Sequence, residues 1–146
     1  MLNLFEFIAI LSTTLFCGAA LYVNVAEHPA RMGCDTRTAA TVWAPSYKRA
    51  TPMQASLAIA GCLAGVAAWW TSGIGMWLVG AVLIGLVVPF TLVVIAPTNR
   101  RLLEPDRDLA SNETRALLAR WGRLHAVRTV LSLIASTAYI GLAVGP

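Results

Sequence analysis

Charge is scarce in this sequence. Only 12% of its 146 residues are Asp, Glu, Lys or Arg, against about a quarter in soluble domains. That scarcity excludes an ordinary water-soluble domain. The net charge of +4 does not point to nucleic acid, because the basic residues sit in short segments beside apolar runs. Cysteine is scarce too. Cys17, Cys34 and Cys62 are odd in number, show no C-x-x-C spacing, and fall two in apolar runs and one in a loop. They exclude a disulfide framework and a cysteine-based zinc site. No Lys or Arg precedes the first apolar run, and Glu6 lies inside it, so a cleaved secretory leader is not expected there. There is no low-complexity stretch and no spare length for a second domain.

What is abundant is apolar sequence, at 58% of the chain. It falls into four blocks, about 2–25, 53–70, 74–96 and 124–144. Each has the roughly 20 residues that cross ~30 Å of hydrocarbon as a helix. The expected fold is all-α: a four-transmembrane-helix bundle in one membrane domain, 1–146. Its two inner segments are 26–52 and 97–123. Ten of the eleven Lys and Arg residues lie in those two segments (Arg31, Arg37, Lys48, Arg49, Arg100, Arg101, Arg107, Arg115, Arg120 and Arg123). The positive-inside rule then places both segments in the cytoplasm and both termini outside, in the cytoplasmic (inner) membrane. Trp69, Trp70 and Trp77 suit an outer aromatic belt, and Trp43, Tyr47 and Trp121 an inner one. Asp35 can cap a short interfacial helix that runs through Trp43 and ends at Pro45. Pro97-Thr98-Asn99 is expected to stop the third span. Ser111 can cap a long fourth helix, from about Asn112 to Gly141, that extends into the cytoplasm. Gly61 and Gly65 form a G-x-x-x-G that serves close helix packing. The lipid bilayer is the implied environment, and self-association is left open.

Polar residues cluster where the spans meet the inner side. Span one leaves through Asn24, Glu27, His28 and Arg31, and span three through Thr98 and Asn99. Span four enters with Trp121, His125 and Arg128, which share one helix face. A charge such as Arg128 inside a span costs up to roughly 2.5–3.5 kcal/mol at the centre. It should face the bundle, with Glu27 as the nearest acid, unless it snorkels to lipid phosphates. His28 and His125 belong at similar depth on different helices. A neutral imidazole can act as a general base, and two can ligate haem iron or another transition metal. The residues leave both uses open. Trp43 and Tyr47 can anchor at headgroups or wall an apolar pocket. Glu6 lies far from this cluster and is given no role.

Several of these segments are familiar together: Phe16-Cys-Gly-Ala-Ala-Leu-Tyr-Val-Asn24, Glu27-His-Pro-Ala-Arg31, Trp43-x-Pro-x-Tyr47, Pro89-Phe-Thr, Ala96-Pro-Thr-Asn99 and Trp121-Gly-x-Leu-His125-x-x-Arg128. In order and spacing the chain resembles the anthrone oxygenase-like membrane proteins, the DUF1772 family, over nearly its whole length. The resemblance implies four spans and an oxygenase that turns an anthrone into an anthraquinone with molecular oxygen and no organic cofactor. His125 and Trp121 match the family's proposed functional positions, and His28 and Asn99 match further motif positions. On that basis His125, His28, Trp121, Asn99 and Arg128 form the expected catalytic set. Trp43, Tyr47, Asn24, Glu27 and Arg31 are expected to contact a small hydrophobic aromatic substrate. A haem or metal protein ligated by His28 and His125 is the first alternative. A non-enzymatic accessory protein or permease is the second, although the outer half has few polar groups to line a path. The catalytic and ligand-binding readings alike rest on both imidazoles meeting in one lipid-shielded cavity at the inner side, and rings that point apart into solvent or acyl chains would remove them.

Overall fold

The computed structural model describes residues 2–145. It is an all-helical four-helix bundle, with no strand among the described residues. The helices are α1 Leu4–Met32, α2 Thr36–Ser72, α3 Gly75–Leu102 and α4 Asn112–Val144, and each is long and apolar enough to cross a membrane. At 1.5 Å per residue the 37-residue α2 and 33-residue α4 are about 55 and 50 Å long, so they outreach ~30 Å of hydrocarbon. Each helix packs on its sequence neighbours, and α4 closes back on α1.

Helix starts follow local capping chemistry. Asn3 and Glu6 form a reciprocal capping box at α1, with bonds of 3.0 and 2.8 Å. Asp35 caps α2 by accepting from the Thr38 hydroxyl (2.6 Å) and backbone N–H (3.0 Å). Those bonds hold its carboxyl below the usual carboxylate range. Ser111 caps α4 by accepting from the Thr114 N–H at 3.1 Å. The α2–α3 hairpin turns on Gly73, whose φ of 72° favours glycine.

Two prolines do not end helices as expected. α2 does not stop at Pro45, and the anticipated short helix is the first quarter of one continuous element. Pro45 and Pro52 both lie on the exposed face. The carbonyls they orphan, on Thr41 and Lys48, therefore face outward at the charged end rather than into the core. Nor does Pro97 stop α3. It follows a five-residue π turn, Thr91–Ile95, and occupies the first turn of the segment Ala96–Leu102, where a missing N–H costs least. α1 repeats the device, with a π turn at Val23–Glu27 directly before His28-Pro29.

The core has three layers. At the far end, beside the hairpin, Ala9, Ala64, Ala68, Trp77 and Tyr139 pack together. Gly65 and Gly80 leave the room that the Tyr139 ring fills, and its hydroxyl donates to the Trp77 carbonyl at 3.2 Å. Trp77 is thus a core residue, not part of an outer belt, whereas Trp70 is exposed. Phe16, Ala20, Ala58, Ile84, Val87 and Ala135 form the middle layer. At the charged end, Trp43, Ile95, Leu117, Leu118 and Trp121 dominate. Outward faces carry large apolar side chains such as Leu63 (65% exposed), Leu92 (67%) and Val93 (72%). Such a surface suits acyl chains rather than water. The 103–111 loop is tied by Arg107 to Glu104 (2.8 Å) and Glu113 (3.5 Å). Arg115 reaches the carbonyls of Met32 and Cys34 and secures the end of α1 to α4.

Candidate functional site

The charged-end layer holds most of the bundle's buried polar groups. Both π turns aim side chains into it. An extra residue in a helical turn rotates everything beyond it. After Val23–Glu27, His28 and Arg31 face inward and Pro29 and Ala30 outward; after Thr91–Ile95, Thr98 and Asn99 face inward. α4 contributes Trp121, His125 and Thr129 from one buried stripe, with half-buried Arg128 beside it.

His125 is 2% exposed. Its Nδ1 lies 2.7 Å from Asn24 Oδ1. Asn24 Nδ2 donates to the Gly122 carbonyl at 3.1 Å, and Thr129 donates to Asn24 Oδ1 at 2.6 Å. A backbone carbonyl can only accept, so Gly122 fixes which way the Asn24 amide points. Asn24 Oδ1 must therefore accept from His125. The imidazole is held as the Nδ1–H tautomer, with Nε2 carrying the free lone pair.

The rings form a continuous aromatic set. Trp121 packs on His125 (centroids 4.9 Å) and on His28 (5.3 Å). Trp43 meets Trp121 edge-on at 5.8 Å and stacks on Tyr47 at 5.1 Å, with planes 6° apart. Asn99 Nδ2 donates to the Tyr47 hydroxyl oxygen at 3.1 Å, which leaves the hydroxyl hydrogen free to donate elsewhere. His28 rests on Gly122. A β-carbon there would sit 2.3 Å from His28 Nε2, so only glycine permits this approach.

A chamber of about 30 Å³ lies among these groups, walled by Glu27, Arg31, Trp43, Tyr47, Gln54, Trp121, His125 and Arg128. Seven of the ten expected site residues thus meet at one cavity. The other three do not line it. Asn24 sits behind His125, Asn99 bonds Tyr47 from outside the wall, and His28 packs on Trp121 and Gly122. The two imidazoles share an indole neighbour but not a cavity, which corrects the expectation that they meet in one; both rings are nonetheless buried inside the bundle, and His125 alone is left as a chamber-lining base.

Arg128 departs from expectation as well. Its partner is not Glu27 but Gln54, whose Oε1 accepts from Nη2 at 2.7 Å, and its guanidinium lies 5.4 Å from the Phe16 ring centroid. It faces the bundle and does not snorkel to lipid. Glu27 is taken by Arg31, one turn on, and accepts from Ser46 at 2.7 Å. Sequence reasoning missed Gln54, Ser46 and Thr129. Gln54 had a signal, as the one amide in the 53–70 apolar block. Thr129 had another, four residues beyond His125 on its own face.

Several buried donors make no hydrogen bond within the protein: Arg31 Nε and Nη1, Trp43 Nε1 and Arg128 Nε. Around one small chamber such donors favour an oxygen-bearing guest. Among the described residues no group of three or more His, Cys, Asp or Glu is placed to hold a metal ion. Trp121 packs on both His28 and His125 and fills the space that a haem clamped by the two would need.

Residues 43–138 match the family model described as "Anthrone oxygenase". The match takes in Trp43, Tyr47, Gln54, Asn99, Trp121, His125 and Arg128. A curated relative, anthrone oxygenase tpcL from Aspergillus fumigatus, is 31% identical over 140 residues. The alignment covers 88% of this chain and 86% of that one. No solved structure matches the chain.

Proposed function

Because this chain belongs to the anthrone oxygenase family and is an enzyme of the oxygenase type, we propose that it oxidises a flat, anthrone-like aromatic from within a membrane, using molecular oxygen and His125 as the base. The observation that carries this reading is the Gly122–Asn24–His125 chain of hydrogen bonds. It presents an unprotonated Nε2 to a cavity walled by aromatic rings.

The chemistry follows from the guest's acidity. A methylene between two aromatic rings and opposite a carbonyl loses a proton to Nε2 and becomes an enolate. Tyr47 O–H and the Arg128 guanidinium, both in the chamber lining, hold the enolate oxygen in this scheme, where fixed dipoles shielded from water count most. The enolate passes one electron to oxygen, and the radical pair joins through a new C–O bond. The imidazolium returns its proton to give a hydroperoxide. His125 then takes the second carbon-bound hydrogen as the O–O bond breaks. One oxygen atom stays as a ketone and the other leaves as hydroxide, which the imidazolium protonates to water, restoring the free base. The substrate supplies all the electrons, so this scheme requires no resident metal or haem.

In this reading Asn24 positions His125 and Asn99 positions Tyr47. His28 backs Trp121, and the Glu27–Arg31 pair closes the charged side of the chamber. Both polar segments face the cytoplasm. The test is turnover of an anthrone by purified protein with a spectrum taken alongside. His125→Ala should lower kcat by about 10²–10⁴-fold, the usual span for a lost general base. Unchanged turnover in that variant would remove the reading. A Soret band with metal bound would favour the ligand role for the two histidines instead.

A further inference from the structure

We infer that the substrate reaches the chamber sideways from the acyl-chain layer, along a groove between α2 and α3 that ends at an Arg128–Gln54 latch. This inference rests on the oxygenase reading and adds to it an access site for planar apolar molecules.

The chamber's 30 Å³ is room for about one water, while ordinary ligand sites offer about 300 Å³ or more. The described state is therefore closed, and one wall must move to admit three fused rings. Two walls are candidates, because a larger hollow adjoins each. On the membrane-facing side a groove of about 100 Å³ shares Tyr47, Thr51, Gln54 and Arg128 with the chamber. Beyond those four its lining is almost wholly apolar, from Ala55 and Ala58 on α2 to Val88 and Leu92 on α3. It leads to a second groove of about 280 Å³ that shares Ala58 and Val88 and runs on past Ile59, Cys62, Leu63 and Gly85. At Gly85 the two helices pack closely, since the Cys62 thiol lies 2.8 Å from where a β-carbon would be, and a larger side chain there would crowd the groove floor.

The other hollow, about 470 Å³, sits between α1 and the start of α2 and shares only Glu27 and Arg31 with the chamber. To pass there, a guest must part the Glu27–Arg31 ion pair and the Ser46–Glu27 bond. Arg31 is 94% buried, and separating a buried pair is costly. On the groove side the barrier is one hydrogen bond, from Arg128 to the neutral Gln54 amide, with no opposite charge to pull away. The flexible arginine can swing aside and then bond the guest's oxygen. An apolar aromatic is already concentrated in the layer that the groove faces.

The experiment compares matched obstructions in protein reconstituted into vesicles carrying an anthrone. Ala55→Phe fills the groove and Ala30→Phe the opposite hollow. Ala55→Phe should lower kcat/KM about tenfold with kcat within about twofold, and Ala30→Phe should change neither. The reverse pattern overturns the inference. A second readout does not need turnover or the bulky variants. In a Cys34→Ser, Cys62→Ala background, Ala55→Cys and Ala30→Cys are labelled with a lipophilic maleimide, with and without anthraquinone. Protection at 55 and not at 30 supports the groove, and equal rates with and without anthraquinone at 55 overturn it. Protection in a protein that turns over no anthrone keeps the access site and sinks the oxygenase reading, so the two fail separately.

Discussion

At His125 the two ring nitrogens face different neighbours. Nδ1 is held by Asn24 and Nε2 is left toward the chamber. Asn24 does not line that chamber, so its loss should disturb the base without disturbing affinity. Asn24→Ala is expected to cut kcat at least about tenfold while KM stays within about twofold. A raised KM with unchanged kcat would instead make Asn24 a substrate contact. The sequence already put Trp121, His125 and Arg128 on one helix face and turned Arg128 inward, because a helix-face argument is local and needs no partner helix. It could not say which polar group meets which. Glu27 was the natural mate for Arg128 by depth, but Arg31 stands four residues from Glu27 on the same helix and reaches it first. Gln54, on a helix whose rotation about its axis the sequence leaves undetermined, takes Arg128 instead. His28 was misread for a related reason. Depth put it level with His125, but only the close approach allowed by Gly122 decides that its ring lies behind Trp121.

The elements owe their register to the two π turns. Val25 is a lipid-facing residue of the first, Val23–Glu27, at 69% exposure. Deleting it should restore an ordinary helix and rotate everything beyond it by about 100° relative to the bundle. His28 and Arg31 would then leave the core. Turnover should fall to background, and the melting temperature in detergent should drop by several degrees as the Glu27–Arg31 pair separates, a loss of about 3 kcal/mol or more. Full activity in the deletion variant would show that register does not matter. Helix number was legible, because four apolar blocks of spanning length leave little choice. Helix ends were not. Proline was taken as a stop at Pro45 and Pro97, yet a proline on an outward face or just after a widened turn removes little that the helix needs. Nothing in the apolar pattern announces a π turn, since one inserted residue in a lipid-facing run leaves the composition unchanged.

The whole molecule is polarised, with its ions gathered at the end that holds the chamber and almost none at the other. Its sidedness can be read from a native probe. Cys34 is exposed at the charged end, whereas Cys17 is buried and Cys62 half-buried within the apolar stretches. If the proposed sidedness holds, a membrane-impermeant thiol reagent should modify Cys34 in inside-out vesicles and leave right-side-out vesicles unlabelled. The opposite result would invert the topology. Burial also differs in kind between the two ends. Near the hairpin the Tyr139 ring is wedged against Gly65 of α2 and Gly80 of α3 and is tied to the Trp77 carbonyl, while the charged end has hollows on two flanks. The molecule is in effect a pair of tongs with its rivet at Tyr139. Jaws on a fixed rivet spread most at their tips, so a guest too wide for the resting gap levers α2 away from α3 without loosening the joint. Redesign for broader substrates would then leave the rivet alone and trim the jaws.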